Sequence, residues 1–153
     1  MQRDAWGMSL FADDLRLEVS GKVSIIGMYR GEMIFPNDPP FGLLKLVVLV
    51  SYAHLIAALT HDLILRIYFP GIEAPVVEHT FLKSELEKMV VVRTPLDEPD
   101  SERVVTLQAP FTFSPVEFPH EGDIKVRMFH NESVTRLGRM RVRKVRPDEQ
   151  IQF

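Results

Sequence analysis

Asp13 and Asp14 stand side by side near the start of this 153-residue chain, and Asp97 and Asp100 follow in the acidic stretch TPLDEPDSER. A hard cation such as calcium takes about six to eight oxygen ligands, gathered from more than one loop. These four aspartates are therefore the metal candidates, and with them comes a metal-dependent binder or an enzyme built on an acidic loop patch. The dense aspartate pattern of a calcium loop is missing, however. Strand alternation sets Asp14, Arg16 and Glu18 on one face and Leu15, Leu17 and Val19 on the other. Charges of alternating sign along a strand serve solvation and cross-strand pairing without any chemistry. The pairing account is favoured.

Arginine supplies the next candidate. In RLGRMRVRKVR, Arg139, Arg141 and Arg143 share one strand face while Met140 and Val142 share the other. Between residues 124 and 146, eight Lys or Arg stand against the single Glu132, leaving ten bases and twenty acids elsewhere. Such a ridge could neutralise phosphates with little sequence preference. It lacks interleaved aromatics for base stacking, and acids such as Glu78 or Glu117 could pair with it, so nucleic acid is disfavoured as a partner. Other chemistry has weaker support. The five histidines (54, 61, 79, 120 and 130) show no compact ligand spacing and read as surface or turn residues. No cysteine, G-x-S-x-G elbow or glycine-rich phosphate loop occurs. No catalytic residue and no cofactor are therefore assigned.

The elements that would carry these residues are mostly strands. DLILRIYF (62–69) places Leu63, Leu65, Ile67 and Phe69 on one face, with Arg66 and Tyr68 opposite. DIKVRMFH (123–130) repeats this with Ile124, Val126 and Met128 inward and Lys125 and Arg127 outward. Residues 22–35 are too long for one strand, and parity switches at Ile25-Ile26-Gly27, where a bulge would let the chain serve two sheets. Residues 43–50 are apolar on both parities, as in a central strand covered on both sides. Residues 76–81, 90–93, 104–107 and 111–118 are shorter strand candidates. Ser84-Glu85-Leu86-Glu87 matches a capping box and predicts a helix of one or two turns. Residues 54–60 suit a second short helical connection.

Short strands separated by turn signals predict an all-β, antiparallel sandwich of seven to nine strands, immunoglobulin-like in its closing hairpin, with one or two short helices. One domain over residues 1–153 is the simplest organisation at this length. The expected core holds Val23, Ile25, Leu46, Val48, Leu63, Leu65, Ile67, Val105, Leu107, Val126, Met128 and Val142.

The opening carries D-x-R-x-E at Asp14, Arg16 and Glu18, then G-K-x-S-x-x-G-x-Y at Gly21, Lys22, Ser24, Gly27 and Tyr29. This resembles the opening of a family of small uncharacterised bacterial proteins. The resemblance implies a shared sandwich-like domain and brings no established activity. The expected function is a non-enzymatic binding or structural module that acts through its surface and self-association. A homo-oligomer is expected, a dimer being favoured, and a protein partner is compatible with the same surfaces. The longest apolar run, residues 43–59, is shorter than the ~20 residues of a membrane helix and is interrupted by Lys45 and His54. No membrane is therefore expected. With no secretory signal visible and no cysteine, the cytoplasm is the expected location.

Overall fold

Leu63, Leu65 and Ile67 are each fully buried, while Ile64, Arg66 and Tyr68 between them are half-buried. That period of two is the organising rule of the whole chain. The computed structural model describes residues 3–93 and 103–150. Among them are eleven strands, one α-helix and a 3₁₀ turn, arranged as a β-sandwich.

The first sheet contains β1 (Ala5–Leu17), β2 (Val23–Met28), β5 (Leu46–Leu55) and β8 (Val104–Phe113), in the order β2-β1-β5-β8. The second contains β3 (Glu32–Phe35), β6 (Leu63–Tyr68), β7 (Val77–Phe81), β10 (Gly122–His130) and β11 (Ser133–Lys144), in the order β3-β11-β10-β6-β7. All pairings are antiparallel except β3 with β11. A small ribbon of β4 (Phe41–Leu43) and β9 (Val116–Phe118) closes one end, where Phe69 packs edge-on to Phe118 with ring centroids 5.1 Å apart.

The chain does serve both sheets within residues 22–35. The break falls at Tyr29–Gly31, beyond the Ile25–Gly27 stretch where parity changes. Tyr29 N–H still donates to Phe11 O in the first sheet, and Gly31 O already accepts from Arg141 N–H in the second. The core forms between the sheets and includes ten of the twelve expected residues. Val23 and Ile25 are corrections: Val23 is half-buried and Ile25 is 38% exposed. They lie on edge strand β2, against the far end of β1, where Leu17 is also open to solvent. This hairpin extends past the covered part of the sandwich, so its apolar parity has nothing opposite to pack on.

Helix α1 (Lys83–Arg93) is longer than one or two turns and takes in residues 90–93, which the sequence suggested as a strand. Its start also differs from the expected box. The Lys83 amide is capped by Asp62 Oδ1 at 2.7 Å, and Glu87 ion-pairs with Lys83 at 2.6 Å. Three consecutive valines lower helix propensity only slightly, and an established upstream turn carries them along. The 3₁₀ turn at Ile56–Ala58 supplies the second helical connection. The candidate strand at residues 111–118 divides: Phe111–Phe113 finish β8, and β9 begins at Val116.

A bulge shapes β11. Pairing with β10 slips between Val126 and Arg127, so Gly138 lies opposite Val126 and Arg136 opposite Arg127. Leu137 is thereby turned into the core, at 3% exposure. Gly138 holds φ +143°, and a Cβ there would press on the Ser9 hydroxyl, which donates to Leu137 O at 3.0 Å. Without this slip, Leu137 would take the outward place that Arg136 occupies.

Candidate functional site

Asp13 and Asp14 point to opposite faces of β1, as adjacent strand residues must. Asp14 accepts from Lys45 Nζ and from the Leu15 amide, and Arg16 Nε lies 3.6 Å away. The Lys45 ammonium, then the Leu15 amide, hold the Asp14 carboxyl below the usual carboxylate range. Asp13 accepts from the Tyr29 hydroxyl at 2.7 Å. Burial and the adjacent Asp13 push the Tyr29 phenol well above its ordinary value. Gly27, at φ +66°, makes room for Asp13: a Cβ there would run into the carboxylate. Ser24 donates to Glu18 at 2.6 Å. The opening motif therefore staples its own hairpin, tying Glu18 to Ser24 across the turn while Gly27 and Tyr29 cradle Asp13. Asp97 and Asp100 lie outside the described residues. Among the described residues, no three His, Asp or Glu are placed to hold a metal ion.

The three ridge arginines occupy two different settings. Arg139 and Arg141 both face Asp123, at 3.7 and 3.4 Å, and remain exposed. Arg143 is held by Glu32 and Glu149, with Nη2 2.9 Å from Glu32 and 2.6 Å from Glu149. Its guanidinium also donates to Lys144 O. Arg143 hydrogen bonds draw the Glu149 carboxyl down to about 2 and lower Glu32 as well. Glu78 pairs instead with Arg66, at 2.7 Å.

Three histidines do meet. His54 on β5, His130 at the end of β10 and His61 in the connection between β5 and β6 form an edge-on cluster, with His54–His130 centroids 4.7 Å apart and His61–His130 5.6 Å apart. His54 is buried at 2%, which corrects its reading as a surface residue: its parity on β5 points inward. His54 Nδ1 lies 2.8 Å from Leu55 O. His130 Nε2 accepts the amides of Thr60 and His61, at 3.0 and 3.1 Å. Burial, then His54 and His61, lower the pKa of His130. Its acceptor nitrogen is spent on the backbone, so this cluster pins the connection to β10.

The outward faces of the two sheets differ sharply. On the first sheet, β5 is buried on both parities: Val47, Leu49 and Ala53 lie outside the main core yet stay below 8% exposure. Around them Trp6, Met8, Ile26 and Met28 are 39–52% exposed. A shallow depression of ≈ 620 Å³ there is lined by Trp6, Met8, Ala53, Thr106 and Gln108. On the second sheet, Arg66, Arg127 and Arg136 lie directly opposite one another across β6, β10 and β11. Alternation already put Arg66 and Arg127 outward. The bulge that adds Arg136 is signalled only by isolated Gly138 and the parity change from Leu137 to Met140, which the alternation reading of the closing strand passed over. No protein-family model and no curated protein matches this chain.

Proposed function

We propose that this protein is a non-enzymatic binding module that works through its surface and pairs with a second copy through the outward face of the first sheet. The supporting observation is the group of half-exposed Trp6, Met8, Ile26 and Met28 around the outward side of β5, whose own residues are already covered within one chain. A patch of this kind has the apolar centre of a homodimer interface. Its margin is polar, with Thr106 and Gln108 on β8 and the Asp14–Lys45 pair at the far end. Pro110 sits in edge strand β8, where it cannot donate to another strand, which favours face-to-face stacking over edge pairing. A two-fold axis lets the same patch serve both copies.

Leu59 is buried within the chain and Ile56 packs against the core, so the connection after β5 contributes little to this interface. The interface rests on the sheet face alone. An immunoglobulin-like arrangement belongs to the same reading, because β5 and β8 pair in one sheet while β6, β10 and β11 run together in the other. The likeness of the opening hairpin to small uncharacterised bacterial proteins fits it too, since that motif supplies a hairpin staple. A cytoplasmic location is part of the proposal and agrees with the lack of cysteine.

Light scattering over a range of concentrations tests the dimer. The expected mass is twice 17.6 kDa, returning to the single-chain mass in Trp6→Glu plus Met8→Glu. A single-chain mass at every concentration overturns the reading.

A further inference from the structure

We propose that the outward face of the second sheet is a binding site for a compact phosphate-bearing small molecule, held by Arg127 and Arg136 with Lys125 and Tyr68 beside them. Arg66, Arg127 and Arg136 form one row across three hydrogen-bonded strands. Neighbouring strands lie only ~4.8 Å apart, and like charges directly opposite one another destabilise a sheet. Arg66 is relieved of this repulsion, because Glu78 pairs with it at 2.7 Å and its guanidinium lies 4.6 Å from the Phe129 ring centre. Arg127 and Arg136 have no carboxylate partner among the described residues. Arg127 donates only to the neighbouring Val126 O, at 3.1 Å. Burial, then Arg136, hold the Arg127 pKa below its ordinary value. Two cations kept together without a counter-charge favour an anion that can bridge them.

The shape suits a small ligand. A groove of ≈ 780 Å³ runs past Tyr68, Lys125, Arg127, Phe129 and Val134, within the range of ~300–1,000 Å³ usual for small-molecule sites. Arg136 is not part of its lining but stands opposite Arg127 on the neighbouring strand, two residues from Val134. Guanidinium groups present forked donors that match phosphate oxygens, and a tyrosine hydroxyl adds another donor. Glu73 and Asp123 border the groove's other end, so the ligand's charge is directed toward Arg127 and Arg136. Asp123 also faces Arg139 and Arg141 and offsets one of their two charges. Within this face, Arg127 and Arg136 are the adjacent pair with no carboxylate partner among the described residues. A nucleic-acid strand needs an extended track, whereas a single phosphate group does not.

Calorimetric titration of the full chain with inorganic phosphate and phenyl phosphate at low salt tests this site. Saturable binding is expected, weakened about tenfold or more by Arg127→Gln or Arg136→Gln, the loss of one charge-assisted hydrogen bond, and unchanged by Arg139→Gln plus Arg141→Gln. Thermal melting gives a second readout. Without ligand, Arg127→Gln should melt no lower than wild type because it relieves the repulsive row, and phosphate should stabilise wild type more than the variant. The proposal is overturned if neither phosphate probe saturates, if Arg127→Gln plus Arg136→Gln leaves binding intact, or if a single-stranded oligonucleotide binds tightly and loses affinity on changing Arg139 and Arg141.

Discussion

The outward faces of the two sheets obey the same alternation and reach opposite results. On β5 the outward parity reads Val47, Leu49, Ser51, Ala53, and on β10 it reads Asp123, Lys125, Arg127, Phe129. The first is closed over by its neighbours and ringed by half-exposed apolar side chains. The second carries a row of arginines in which one is paired and two are not. Inward, both sheets bring equally buried apolar residues to one core. The difference teaches that packing of the fold determines one parity of each strand and leaves the other to what lies outside.

The inward parities should therefore respond alike to truncation, and this is the largest effect expected. Leu46→Ala in the first sheet and Leu65→Ala in the second, both fully buried, should each cost about 2–5 kcal/mol in denaturant unfolding. A trivial loss at either position would mean that one sheet does not share the core. Next in size is Gly27→Ala, where the positive φ alone costs about 1–2 kcal/mol and the new Cβ meets the Asp13 carboxylate. Chemical denaturation should show that loss, and its absence would remove the hairpin staple from this account.

Acid probes the ion pairs of both sheets, Asp14 with Lys45 in the first and the Arg143 cluster in the second. Glu149, drawn down to about 2 from an ordinary 4.5, favours the folded state while ionised. Its contribution is present above about pH 4.5 and is lost as pH falls toward 2. Glu32, also lowered by Arg143, acts in the same direction. The melting temperature should fall across that window, and Arg143→Met should flatten the fall. An identical pH profile in the variant would show that these carboxylates are not held by Arg143. The smallest effect is predicted for Met8→Glu, which should change single-chain stability by no more than about 0.5 kcal/mol while weakening self-association.

Much of this was legible in the sequence where period two stood alone. β6 and β10 announce their inward residues, and the double parity of residues 43–50 marks a strand covered on both sides, although β5 begins only at Leu46 and Leu44 before it is exposed. Val23 and Ile25 misled because alternation reveals parity but not how far the opposing sheet extends. The valines at 90–92 favour a strand locally, yet the helix begun at Lys83 continues through them. His54, His61 and His130 converge only through the crossing between β5 and β6 and the end of β10. Arg136 was hidden for a related reason. Its outward place depends on a one-residue slip beside Gly138, which strict alternation misplaces although the parity change from Leu137 to Met140 marks it.

Trp6 is the single tryptophan of the chain, and at 45% exposure it stands on the face assigned to the second copy. Its fluorescence, followed from dilute to concentrated solution beside the Met8→Glu variant, tests the central claim most directly. The account predicts that the wild-type emission maximum moves to shorter wavelength as concentration rises, while the variant keeps the dilute spectrum. An emission maximum that does not move while light scattering reports a dimer would place the interface elsewhere and contradict the account.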